Sequence, residues 1–149
     1  MGGKVTDMPF FEMTEDLMTG NFMIDEQHKE LIDRINDLHE AIESRRRVGE
    51  IDMVFKFLES YVLAHFGAEE KIMDKRDYPE KEEHKAKHAH FIKEFKKIEN
   101  SFKLHMESGD GSTDDKSWED ARQMESLLKD WLINHIKTID TKLGAFLAS

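Results

Sequence analysis

The sequence predicts an all-α chain, folded as an up-down-up-down antiparallel four-helix bundle behind an N-terminal arm. Apolar residues recur at three- and four-residue spacing through four long stretches. The 149 residues include only 2 Pro and 8 Gly, too little turn chemistry for many short strands. The stretches are joined by short connections, which favours antiparallel neighbours. The length suits one domain over residues 1–149, with the arm at 1–22 and the bundle at 23–147.

The arm mixes Pro9 and Gly20 with Phe10, Phe11 and Phe22, so it is expected to lie across the bundle rather than extend it. The first helix is expected to start near Asp25 as N-cap. It carries Ile24, His28, Leu31, Ile32, Ile35, Leu38 and Ile42 on one stripe and stops near the RRRVG stretch. The second runs from about Glu50 to Lys75, with Phe55, Leu58, Val62, His65, Glu69 and Met73 facing inward, until DYP breaks it. The third opens on Pro79 in its first turn and reaches Met106, carrying His84, His88, Phe91, Phe95 and Phe102. Residues 108–117 read as a loop, and Ser117 or a residue just before it caps a last helix bearing Leu128, Trp131, Leu132, His135, Ile136 and Leu143.

Composition narrows the chemistry. Without cysteine there are no disulfides, thiolate zinc sites, iron–sulfur clusters or thiolate-bound haem. A net charge of -10, with no basic stripe, argues against nucleic acid. No stretch is long and apolar enough to cross a bilayer, and acidic residues stand where a signal peptide needs an apolar core, so a cytoplasmic location is expected.

The anomaly lies in the stripes. His28, His65, His84, His88 and His135 occupy positions where a bundle ordinarily places Leu or Ile. His65 with Glu69, and His84 with His88, are one turn apart and share a face. In an antiparallel bundle these residues, with Asp140, all fall at one end, which makes a single layer of five imidazoles and two carboxylates. Such a layer costs too much desolvation to be incidental, and seven donors exceed what one ion takes, so two metals are expected. By donor type these are iron, manganese, zinc or copper. If Glu69, Asp140 and one solvent-derived oxygen bridge them, three histidines complete six positions on one ion and two leave five on the other. His135 and Asp140 fit least well, because five residues turn an ideal helix by roughly 140°. His39, His90 and His105 are expected to be ordinary surface or satisfied histidines.

The chain resembles the hemerythrin family, in particular its bacterial members, through IDEQHKEL, HFGAEEKIM, YPEKEEHKAKHAHF and WLINHIKTID, over roughly residues 22–147. The resemblance implies two iron ions with an oxo or hydroxo bridge. His84, His88 and His135 would hold the six-coordinate iron, and His28 and His65 the iron with the open position. Glu69 and Asp140 would bridge, and dioxygen or another small diatomic or peroxide ligand would bind end-on at the second iron. Phe66, Phe91, Trp131, Leu132 and Ile136 are the expected apolar shell. Many bacterial members carry Trp early in the arm, where this chain has Phe10 and Phe11. Some animal members carry Tyr where Leu143 stands. The leading reading is a reversible dioxygen carrier, store or scavenger rather than an enzyme. The alternatives are a di-iron enzyme acting on peroxide or nitric oxide, and an oxygen or redox sensor module.

Overall fold

In the computed structural model, residues 9–108 and 115–149 are described. The start of the expected arm and most of the expected 108–117 loop lie outside them. The long helices are α1 (Phe22–Glu43), α2 (Val48–Lys75), α3 (Lys81–Ser108) and α4 (Asp115–His135). A π-helical turn, Ile136–Asp140, and a short helix α5 (Thr141–Ala148) continue α4. Before α1 the arm forms one 3-10 turn, Glu15–Leu17. Among the described residues there is no strand. Each long helix packs on two neighbours in the cyclic order α1, α2, α3, α4, as a four-helix up-down-up-down bundle requires. No described helix is long and apolar enough to cross a membrane.

The boundaries differ from expectation in instructive ways. Helix α1 starts before Asp25, because Asn21 is the N-cap and its side chain accepts from the Ile24 N–H. Asp25 is buried instead. It accepts from the Thr19 N–H and hydroxyl, both at 2.8 Å, and from the Gly20 N–H at 3.2 Å, which ties the arm to the first turn. Pro79 precedes α3 in a tight turn in which the Lys81 N–H donates to the Tyr78 carbonyl. Ser117 lies inside α4, whose first residue is Asp115.

Two hydrophobic clusters flank the histidine layer. The larger one fills most of the bundle, with Leu31, Ile35, Phe55, Leu58, Phe66, Phe91, Phe102, Leu128 and Ile136 among its members. The smaller one, Ile24, Met73, Tyr78 and Leu143, closes the opposite side. Along the chain the histidine and carboxylate positions of each helix fall between members of the two clusters, Tyr78 standing just before α3 and Leu143 on α5, so apolar side chains cover the polar layer from both directions.

The arm is fastened at several points. The Asn36 side chain accepts from the Phe11 N–H and donates to the Phe11 carbonyl, at 2.9 and 2.8 Å. Lys137 pairs with Asp16 at 2.9 Å. Gly144 on α5 lies so close to the arm that a Cβ there would stand 2.2 Å from the Thr19 carbonyl oxygen. That neighbour is backbone and cannot swing aside. Gly144→Ala is therefore expected to cost about 1–3 kcal/mol, lowering the thermal midpoint by several degrees in a melt followed by circular dichroism. An unchanged midpoint would show that the arm is not held where the structure places it.

Candidate metal centre

Each donor reaches the centre from a different helical position. His28 comes from the second turn of α1, His65 and Glu69 from late α2, His84 and His88 from early α3, and His135 from the end of α4. Asp140 arrives through the π turn. A π turn closes on the fifth residue, not the fourth, so the extra residue rotates Asp140 back toward His135, and their Nε2 and Oδ1 atoms stand 3.2 Å apart. The spacing that fits an α-helix poorly is the local sign of this bulge. The backbone stays helical through it, with φ −63° and ψ −44° at His135 and φ −68° and ψ −33° at Asp140.

The structure brings all seven residues together, and all are buried. Both carboxylates divide their oxygens between two sets of imidazoles. Glu69 presents Oε2 to His65 at 3.1 Å and to His28 at 3.7 Å, and Oε1 to His84 and His88, both at 3.2 Å. Asp140 presents Oδ2 to His28 at 3.0 Å, and Oδ1 to His84 at 3.0 Å and His135 at 3.2 Å. The donor atoms thus form two groups sharing Glu69 and Asp140: one adds His84, His88 and His135, the other His28 and His65. Within each group the atoms lie within 4.8 Å of one another.

These contacts are close but are not hydrogen bonds. All four carboxylate oxygens, and the Nε2 atoms of His28, His84, His88 and His135, are buried without a hydrogen-bond partner. Leaving so many polar atoms unpaired in a core is costly. Lone pairs that converge on shared points, and not on each other, fit cations between them, and imidazole with carboxylate suits first-row transition ions.

The outer ring nitrogens of His65 and His88 are held from behind. His65 Nδ1 lies 2.7 Å from Gln27 Oε1, and His88 Nδ1 lies 2.9 Å from Glu70 Oε2. Sequence reasoning missed both residues. Each adjoins a ligand position, yet Gln27 serves a histidine 38 residues away, a pairing that exists only in the fold. Phe66 stacks on His88 with centroids 3.8 Å apart, and Trp131 on His135 at 4.2 Å. A small cavity beside the layer is walled by Phe66, Phe91, Trp131 and Leu132 of the expected shell, joined by Leu31, Ile35, Val62 and Leu128. Ile136 is fully buried in the core but does not line that cavity.

The other histidines stand apart. His90 is exposed. His39 bonds Glu125 at 2.8 Å beneath the Phe10 ring, and His105 bonds Asp120 at 2.8 Å.

The sequence model of the hemerythrin HHE cation binding domain matches residues 19–147. The chain belongs to the hemerythrin family. Bacteriohemerythrin of Pseudomonas aeruginosa is 32% identical over 126 residues, covering 85% of this chain and 74% of that one. Bacteriohemerythrin of Methylococcus capsulatus is 30% identical, over 84% of this chain and 86% of the relative. A hemerythrin-like protein of Naegleria gruberi is 27% identical, over 89% of each. A solved wild-type hemerythrin superposes with a TM-score of 0.77 at 26% identity, over 94% of this chain and 99% of that one.

The electrostatics of this hemerythrin centre follow from burial and mutual compensation. Burial opposes charge on His28 and His84, but the nearby Asp140 and Glu69 oxygens outweigh it and raise both imidazoles to about 9. His135 is lowered, because burial prevails over Asp140. Burial pushes Glu69 up, yet His65, His28 and His84 hold it well below the carboxylate range. Asp140 is also depressed: burial and Glu69 push it up, and His135, His28 and His84 pull it down further.

Linkage converts these shifts into a stability profile for the metal-free chain. His28 and His84 contribute stability that is fully present below their ordinary value of 6.5 and is lost as pH rises through about 9. His135 has the opposite sign, its contribution being present above 6.5 and lost as pH falls through its lower folded value. Glu69 and Asp140 add stability that is lost only in acid, below the ordinary carboxylate range. The expected optimum is therefore near pH 6.5, with the steeper fall on the alkaline side, where two imidazoles titrate against one. Denaturant midpoints of chelator-treated protein across the pH range check this, and stability still climbing at pH 9 would contradict the assignment. Metal loading, which requires neutral imidazoles, should move the optimum to higher pH.

Proposed function

We propose that this chain is a non-haem di-iron protein that binds dioxygen reversibly, as a carrier, store or scavenger, in a single domain of the cytoplasm. The observation that supports the reading most is the division of both buried carboxylates between a three-histidine and a two-histidine group. Glu69 and Asp140 would bridge two ions, His84, His88 and His135 would complete one, and His28 and His65 the other. With one oxo or hydroxo bridge, the first set reaches six donors and the second five, leaving a position for a small ligand. When bound, the iron pair supplies the two electrons and the open coordination position that dioxygen binding uses.

The chain's own part is to hold and to shield. Phe66, Phe91, Trp131 and Leu132 wall a cavity of about 10 Å³, the lower limit for one water, with no polar atom facing into it. Ile136 is buried in the same core cluster as these residues. A wall that turns no polar atom toward the cavity restrains water and protons, which favours binding and release over turnover. The alternative, a di-iron enzyme acting on peroxide or nitric oxide, draws on one observation. A cleft lined by Tyr78, Glu80, Glu83, His84 and Lys142 brings acidic groups to the His84 side. Steady-state turnover with a chemical reductant would favour that alternative.

Absorption spectra with iron counting test the proposal on anaerobic ferrous protein, after air, and after gas removal. Two irons per chain and a coloured oxygenated form that bleaches reversibly are expected, and direct conversion to a stable ferric form would overturn the carrier reading. His28→Ala or His65→Ala should impair ligand binding while one ion is retained, whereas Glu69→Gln should loosen both. Equal iron loss from all three would contradict this division of roles.

A further inference from the structure

In the reading above, which this inference rests on, every imidazole turns Nε2 toward the cations and Nδ1 away from them. The structure gives two of these rings side-chain acceptors of different charge. His88, in the three-histidine group, donates Nδ1–H to the carboxylate of Glu70 at 2.9 Å. His65, in the two-histidine group, donates to the carboxamide oxygen of Gln27 at 2.7 Å. Both acceptors fix the same tautomer, with the Nε2 lone pair aimed into the cluster. They differ in what they do to that lone pair. A carboxylate draws the shared proton toward itself and leaves more electron density on the ring, and a neutral amide does so less. His84 and His28, one in each group, have Nδ1 buried without a hydrogen-bond partner, so they do not offset the difference.

We propose that Glu70 and Gln27 are positioning residues that widen the inequality of the two metal sites. Through His88 the Glu70 carboxylate tightens the three-histidine site, and through His65 the Gln27 amide leaves the two-histidine site the more exchangeable of the pair. The three-histidine site then fills first and empties last, and assembly of the pair is ordered by residues that touch neither ion. Glu70 has 34% of its side chain exposed, so replacing it by Gln keeps shape and fold while removing the charge.

The test is ferrous ion release from the full chain, challenged anaerobically with excess chelator, in wild type, Glu70→Gln, Gln27→Glu and the double exchange, with circular dichroism to verify the fold. Wild type is expected to release its ions in two phases. Glu70→Gln should accelerate the slow phase by about 10- to 100-fold and leave the fast phase unchanged. Gln27→Glu should slow the fast phase, and the double exchange should bring the phases together or reverse them. In zinc-loaded protein the His88 Nδ1 proton resonance should shift upfield in Glu70→Gln while that of His65 stays, a response that mere loosening of α2 would not give. Equal acceleration of both phases, unchanged release, or one phase that neither substitution splits would overturn the proposal. A wild-type chain that takes up no pair of ions would overturn the di-iron reading and this inference with it, a failure visible before any variant is made.

Discussion

The structure depends on keeping two carboxylates and five imidazoles in one layer of a hydrocarbon core. Glu69 and Asp140 have no exposed surface, and an isolated buried carboxylate would be driven to its neutral form. The imidazoles prevent that, and in the metal-free chain the carboxylates in turn raise His28 and His84 against burial. The donors therefore stand or fall together. Removing one member leaves the others with a desolvation cost that nothing offsets, so the layer constrains every helix at once.

That constraint explains features that look local. The π turn carries an extra residue so that Asp140 can face His135 while Leu143 still reaches the closing apolar cluster. The 3-10 turn of the arm lies against the π turn, and Lys137, within it, pairs with Asp16 of the arm. Gly144 lets the arm approach closely one turn beyond Asp140. Buried Asp25 gathers the Thr19 and Gly20 donors on the other side of the contact. The arm is thus part of the wall around the layer.

The two faces of the layer differ in kind. On one side aromatic rings lie flat on His88 and His135, and the adjoining cavity is apolar. Near His84 the chain instead offers Tyr78, Glu80, Glu83 and Lys142.

Much of this was legible in the sequence because helical periodicity and metal chemistry both leave marks at fixed spacing. The stripes of α1 to α4 repeat every three or four residues, and histidines stand out on them because no apolar core accepts five imidazoles without a reason. Four antiparallel helices then put His28, His65, His84, His88 and His135 at one end, as the structure has them. The five-residue step made Asp140 the poorest fit of the set, because an α-helical template has no place for a π turn. Asp25 passed for a cap because capping residues and buried acceptors share a chemistry, and only the returning arm distinguishes them. Gln27 and Glu70 stayed hidden because their partners lie on other helices. By itself the sequence determined which side chains face the core and which of those carry lone pairs a cation could use, since a helix carries that periodicity within its own few turns. Which oxygen of each carboxylate faces which imidazole, and which outer groups hold the rings, was decided only by the tertiary structure, because those distances are set between helices and not along them.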